Sequence, residues 1–300
     1  MDLTHPQRVT SSNKKHKVGN SMMVTCKRAK FMETYQRQNF SMPDSVIFYV
    51  AKNPKTAELY LKMVKTCKYF FVKNPIIVIH RLRAFCGKWE VNEKPLDLIK
   101  YNCKYWITDE IRASALDIVN RNIFSQVVPK LYRCDAKSLY LWSQVVSFND
   151  LSLIISSAEE IYLENVIVKN ADTSYVPLEV IVAIAIKAKE ISVEEPKITP
   201  KTMKELTKLP NFSKFEYFSL SNLSEVFDID VFYSYMKENS HTEFFLTFDE
   251  QISEGYMNRI ETIIDEILET KQFNYKPPFL DSAGLDLQKY RTLRHIFYSH

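Results

Sequence analysis

Leu139-Tyr140-Leu141, Ile161-Tyr162-Leu163, Ile191-Ser192-Val193, Phe218-Ser219-Leu220 and Phe244-Phe245-Leu246 are short apolar-x-apolar runs in the second half of a 300-residue chain. Alternation with a period of two reads as a half-buried strand, because successive side chains of an extended chain point to opposite faces. The third residues of these runs are spaced by 22, 30, 27 and 26, and a helix-forming stretch follows each. Ser147 or Asn149 caps Leu151 to Ala158, Pro177 opens an apolar helix through Ala188, and Thr199-Pro200 opens Met203 to Leu209. Ser224 precedes Val226 to Met236, and Ser253 starts the longest helix, with Met257, Ile260, Ile264, Ile267 and Leu268 along one side. Units of one strand and one helix cannot bury their apolar faces alone and gain a core by stacking on neighbours. The expectation for residues 131–300 is therefore an α/β solenoid, with an ordinary α/β domain around a mixed sheet as the alternative.

The intervals lie at or just beyond the roughly 20 to 29 residues of a leucine-rich repeat, and the region resembles that family in an irregular form. The Asn that closes each strand's turn in leucine-rich repeats stands near its place only at Asn165. Lys276-Pro277-Pro278 ends the last long helix, and Leu285 to Phe297 is expected as a final capping element or a partly ordered tail.

Upstream, residues 91–130 read as a transition segment. Trp89-Glu90-Val91 and Lys104-Tyr105-Trp106-Ile107 predict short strands, and Thr108 or Asp109 is expected to cap a helix through Ile111, Ala115 and Ile118. Residues 39–90 read as a helical module. Ser41-Met42-Pro43-Asp44-Ser45-Val46 supplies a cap and a proline suited to a first turn, after which Val46, Ile47 and Val50 share a face. Asn53-Pro54 interrupts this helix, and Ala57, Leu61, Val64, Cys67 and Phe71 then recur at helical steps until Asn74-Pro75. Ile76-Ile77-Val78-Ile79 with Leu82 is expected to complete three compact helices by about residue 86.

Met42-Pro43-Asp44-Ser45-Val46, a break, and Val64-Lys65-Thr66-Cys67-Lys68-Tyr69-Phe70-Phe71 together resemble the F-box motif, with a Pro-containing start and a Val-Cys-Lys-aromatic end. The similarity is greatest to the divergent F-box-like proteins that nematodes carry in large numbers. The resemblance implies binding to the Skp-type adaptor of a cullin-RING ubiquitin ligase. It makes Met42, Pro43, Val46, Ile47 and Val50 the adaptor-facing group, with Val64 and Cys67 supporting or touching it. The alternative is a helical cap that seals the end of the larger domain and binds no adaptor.

Composition narrows the function classes. Only 4 glycines occur, far below the roughly 7% average, and none lie close enough together to cradle a phosphate, which excludes a dinucleotide fingerprint and a P-loop. The 19 Phe, 17 Tyr and 3 Trp suit half-buried strands and protein-contact surfaces. Residues 1–38 hold eight Lys or Arg against Asp2 and Glu33, a net of +6, leaving −2 of the total +4 for residues 39–300. This first segment reads as a disordered basic arm. Within it Lys14 and Lys15, then Lys27, Arg28 and Lys30, have the two-cluster spacing of a nuclear import signal, with a solvated basic tail as the bland alternative. A body of slight negative charge disfavours nucleic acid as a partner except through that arm. The five cysteines form no CxxC pair, no secretory segment opens the chain, and no apolar run reaches membrane-spanning length. An intracellular location, nucleus or cytoplasm, is expected, and the sequons at Asn39, Asn211 and Asn222 read as chance matches.

No catalytic or metal-binding arrangement stands out, and no cofactor is expected. His80 beside Ile79 and Leu82, and Cys67 in an apolar helical register, read first as packed or surface residues. Glu159-Glu160, Glu194-Glu195 and the stepped Glu261, Asp265 and Glu269 read as solvated faces. Tyr140, Trp142, Tyr162 and Phe245 are candidates for an aromatic recognition surface, against core packing. The expected protein is a non-enzymatic recruiter with a small F-box-like helical module and an α/β (α+β overall) repeat body that captures an unidentified protein target. The alternative from another class is an interaction scaffold whose helical module only caps the solenoid.

Overall fold

A computed structural model of the chain describes residues 39–85, 87–98, 102–115 and 121–299. The basic pairs at Lys14, Lys15, Lys27, Arg28 and Lys30 lie outside the described residues. The chain divides into two compact units between Asn74 and Pro75.

The first unit contains α1 (Asp44–Lys52), α2 (Ala57–Thr66) and α3 (Lys68–Lys73). Pro43, at φ −54°, enters α1, and Asp44 lies in its positive first turn. The Thr56 hydroxyl accepts from Leu59 N–H at 3.1 Å and so caps α2. The helix expected to run through residue 71 is broken at Cys67, whose backbone is extended and whose Sγ accepts from Tyr69 N–H at the start of α3. Asn74 fastens the unit: its amide donates to the Ala51 and Lys52 carbonyls at 3.0 and 3.3 Å, and its own carbonyl accepts from the Tyr60 hydroxyl at 2.7 Å. Carbonyls left over at the end of α1 thereby gain partners.

The second unit begins where a third helix was expected. Pro75 biases its neighbours toward extended backbone, and the β-branched Ile76-Ile77-Val78-Ile79 is stiff at χ1, so the segment becomes β1 (Ile76–Phe85). Then follow β2 (Lys88–Val91), β3 (Lys94–Pro95), β4 (Lys104–Ser114), α4 (Phe124–Val127), β5 (Leu131–Cys134), β6 (Ser138–Trp142), β7 (Val145–Ser147) and α5 (Phe148–Ile155). The chain continues through β8 (Glu160–Glu164), β9 (Ile167–Lys169), α6 (Leu178–Ile184), β10 (Glu190–Glu194), α7 (Thr202–Leu206) and β11 (Tyr217–Leu223). It closes with α8 (Ile229–Glu238), β12 (Glu243–Phe248), α9 (Glu254–Glu269), β13 (Phe279–Asp281) and α10 (Leu287–Ser299). Of the helix expected from Thr108 or Asp109, the residues up to Ser114 form the second half of β4, Ile118 lies outside the described residues, and Thr108-Asp109 marks a register shift against β1. β1 to β4 thus pair in the same sheet as the later strands, and the division between units falls at Asn74 and Pro75, where the expectation set limits at 90 and 130.

Among the described residues the main sheet has 11 strands, and its long run follows chain order: β1, β4, β6, β8, β10, β11, β12, β13. Every neighbouring pair in that run is parallel. β2 and β3 extend the first edge antiparallel, β5 pairs with the start of β4, and β7 and β9 form a separate parallel pair. The fold is therefore mixed α/β.

Register sends two rows of side chains into the core. Leu82, Ile111, Leu139, Ile161, Ile191, Phe218 and Phe244 form one, and Ala84, Ala113, Leu141, Leu163, Val193, Leu220, Leu246 and Leu280 the other, all buried. The helices supply the opposing layer, with Leu151 and Ile154 of α5, Ile181 and Val182 of α6, Phe232 and Met236 of α8, and Ile260, Ile263, Ile264 and Ile267 of α9. Toward the last strands the filling is aromatic: Phe218 meets Phe212 edge-on at 5.0 Å, and Phe244 meets Phe232 at 5.1 Å.

A turn recurs at the end of successive strands. Ser143, Asn165, Glu195 and Asn222 all have left-handed backbone, with φ of 52°, 51°, 52° and 60°. Each follows a residue of one register row: Trp142, Glu164, Glu194 or Ser221. Backbone bonds join neighbours, Ser143 N–H to Glu164 O and Glu195 N–H to Ser221 O, both at 2.9 Å. Conformation repeats here although the residue type does not.

Candidate functional site

Residues alternating with the core rows occupy the opposite face of the sheet. On β4, β6 and β8 these include Arg112, Tyr140, Trp142 and Tyr162, all half-buried. Tyr140 stacks on Tyr162 at 4.9 Å and 12° and on Trp142 at 5.9 Å and 7°. The Arg112 guanidinium lies 4.6 Å from the Tyr140 ring centroid and 5.6 Å from that of Trp142, and pairs with Glu110 at 3.4 Å. Three parallel strands thus present a flat aromatic shelf with a cation already seated on it.

Carboxylates border the shelf. Glu160 accepts from the Ser138 and Tyr140 hydroxyls at 2.9 and 3.0 Å, and Glu190 accepts from Tyr162 at 3.0 Å. Burial, then the bond to Glu160, raises the Tyr140 phenol, and burial followed by Glu190 does the same to Tyr162. Both phenols therefore stay neutral donors. Glu194 is raised above the ordinary carboxylate value by burial and by its neighbours Glu164 and Glu195. Beyond the shelf, Tyr162, Glu190, Glu216, Tyr217, His241, Glu243 and Lys276 line a hollow of about 540 Å³, in which Lys276 pairs with Glu243 at 2.8 Å.

Of the four aromatic candidates read from the sequence, Tyr140, Trp142 and Tyr162 meet on this face. Phe245 does not join them: it stacks on Phe279 at 4.9 Å and is met by Phe297 of α10, so its side of the sheet is packed. The C-terminal helix is held by Lys289, which reaches Asp265 at 2.7 Å and Glu261 at 3.7 Å. That assigns two of the stepped acids of α9 to anchoring. Sequence reasoning paired Glu159 with Glu160 and Glu194 with Glu195, whereas register sets Glu160 beside Glu190. Glu159 instead pairs with Lys189 at 2.8 Å, which lowers its carboxyl below the ordinary value. The signal that could have found the grouping is Glu-Ile-x-aliphatic-Glu, present in both β8 and β10.

In the helical unit, Met42, Pro43, Val46 and Val50 are exposed, and Val64 is half-buried. Ile47 and Cys67 are interior, at 3% and 6% exposure, and cannot face an adaptor directly. Sequence reasoning passed over Phe48 and Tyr49, which expose 46% and 68%. His80 is exposed and sits 3.0 Å from the Thr108 hydroxyl. The Cys134 thiol is pushed up to about 11 by burial, so it is a poor nucleophile at neutral pH. Asn211 spends its amide on the Val182 and Ala185 carbonyls at 2.7 and 3.2 Å, in the interior. Among the described residues no helix is long and apolar enough to cross a membrane, and no group of three His, Cys, Asp or Glu is placed to hold a metal ion.

A search of protein-family models finds no match to this chain, and a search of curated proteins finds none either.

Proposed function

We propose that the chain is a recruiter: the helical unit engages a Skp-type adaptor of a cullin-RING ubiquitin ligase, and the sheet-bearing unit captures a protein target. The observation that carries the reading is the apolar surface of α1 and its approach. Met42, Val46, Phe48, Tyr49 and Val50 expose between 36% and 68% of their area on and just before a nine-residue helix. Clustered exposed apolar residues of this size mark a binding surface, since burying them gains about 25 cal/mol per Å². The proline entry, the break at Asn53-Pro54 and the Cys67-Lys68-aromatic run support the F-box-like assignment. Ile47 and Cys67 then act from inside the unit, holding α1 and the start of α3 in place.

The body is best understood as an irregular solenoid. Strands in chain order, parallel throughout the long run, with a helix on most crossovers and a left-handed turn that recurs by register, support this assignment. Mechanistically, the protein raises the local concentration of a target near a ubiquitin-loaded enzyme and needs no bond-making residue of its own.

Calorimetric titration of the full chain with a purified Skp-type adaptor tests the proposal. Micromolar or tighter binding is expected, and Val46→Asp, at an exposed position, should abolish it while leaving the melting temperature unchanged. A folded wild-type chain that gives no heat at high micromolar adaptor would overturn the proposal and favour a helical cap.

A further inference from the structure

Glu160-Ile161-Tyr162-Leu163-Glu164 and Glu190-Ile191-Ser192-Val193-Glu194 repeat one pattern on adjacent parallel strands, in register. The aliphatic positions enter the core, so the opposite face carries acid, ring or hydroxyl, acid, twice side by side. The flanking strands β6 and β11 add Ser138, Tyr140, Trp142, Tyr217 and Ser221 to that face, with Ser219 buried beneath. These four strands therefore contribute four glutamates and no lysine or arginine; the nearby cations come from elsewhere, Arg112 of β4 on Tyr140 and Trp142, and Lys276, which shares the hollow with Glu190 and pairs with Glu243.

Among the described residues no ion pair reaches Glu160, Glu164, Glu190 or Glu194. Like charges side by side on neighbouring strands destabilise a sheet, and glutamine at any of these positions would remove the cost. Same-face residues recur about every 6.7 Å along a strand, which puts the two acidic rows about 13 Å apart, with Tyr162 and Ser192 between them and Tyr140 at their level. Arg112 already demonstrates how this surface receives a cation, through Tyr140 and Trp142 below and Glu110 beside it.

We propose that this face of β8 and β10 docks an extended segment of the target protein that carries two lysines or arginines four positions apart. One cation lies between Glu160 and Glu190, the other between Glu164 and Glu194, and the residue midway rests on Tyr162. An extended chain places residues i, i+2 and i+4 on one side at the spacing of these rows. The inference rests on reading the body as the target-capturing unit and adds the chemistry of what it captures.

The test is fluorescence anisotropy of a labelled nonapeptide with lysine at its third and seventh positions and alanine and serine elsewhere, titrated with the full chain at low ionic strength. A control peptide carries glutamate in place of lysine. The lysine peptide should bind and the glutamate peptide should not. Combining Glu164→Lys with Glu194→Lys should weaken binding on the order of tenfold or more. Combining Glu160→Gln with Glu190→Gln, which keeps side-chain shape, should weaken it several-fold and supplies a second readout if the charge reversal impairs folding. Equal binding of both peptides, or an affinity that neither variant changes, would overturn the inference. A variant in which Lys14, Lys15, Lys27, Arg28 and Lys30 are all alanine should bind as the wild type does. Peptide binding that emerges only in this variant would make the chain's own basic segment the occupant and overturn the inference. Adaptor titration of the same sample separates the two claims: adaptor binding without peptide binding overturns this one alone, whereas peptide binding without adaptor binding overturns only the ligase reading.

Discussion

Glu194 carries a measurable consequence of the acidic face. Burial, then Glu164 and Glu195, raises its pKa above the ordinary 4.5, so ionising this carboxyl costs more in the folded chain than in the unfolded one. Between the ordinary and the raised value the folded state binds more protons than the unfolded one, so this residue's contribution to stability rises as pH falls through that window and levels off below it. Urea titrations should therefore find Glu194→Gln more stable than the wild type at pH 7, with the gap narrowing as pH approaches 4.5. A gap independent of pH would assign the gain to something other than charge. Asn165 poses a backbone question instead, since its φ of 51° lies where β-branched residues are strained. Asn165→Val should cost about 1–2 kcal/mol while Asn165→Gly stays near neutral, because left-handed backbone penalises a Cβ and spares glycine. Equal losses in the two variants would shift the role to the side chain.

Elements were legible in the sequence to the extent that local signals governed them. The five apolar-x-apolar runs are β6, β8, β10, β11 and β12, and Ser147 and Ser253 cap α5 and α9 as their spacing predicts. Where several polar residues competed for a cap, position alone did not decide. Ser224 was the expected start before Val226, yet α8 begins at Ile229, and Asp228 accepts from Val231 N–H at 3.0 Å. Asp228→Ala should accordingly cost about 1 kcal/mol of unfolding free energy, and Ser224→Ala close to nothing, in chemical denaturation. The reverse ordering would contradict the assigned start. Trp89 to Val91 and Lys104 to Ile107 fall in β2 and β4 as their alternation predicts, whereas the helices expected around Ile76 and after Asp109 were misread for a different reason. Ile76 to Leu82 and the stretch starting at Ile111 carry apolar residues at intervals compatible with a helix, and only pairing between β1 and β4, distant in sequence, resolves Ile76–Phe85 and the residues up to Ser114 as strands. The candidate site shares that limitation: Tyr140, Trp142 and Tyr162 could be named in advance, but their stacking, the seating of Arg112 and the pairing of Glu160 with Glu190 arise from register between strands.

At the scale of the molecule, the division at Asn74 and Pro75 separates a short helical unit with an exposed apolar helix from a long parallel sheet with an acidic, aromatic face. Two surfaces of different chemistry, one apolar and one charged, suit two different partners, which is what a recruiter requires. They should also fail independently under mutation, because each substitution changes the chemistry of one surface. Sedimentation velocity of the full chain mixed with a Skp-type adaptor at micromolar concentration tests this most directly, run on the wild type, on Val46→Asp and on the variant combining Glu164→Lys with Glu194→Lys. A single faster-sedimenting complex is expected for the wild type and for the sheet variant, and separate components for Val46→Asp. Separate components in all three samples, with each protein folded, would contradict adaptor recruitment.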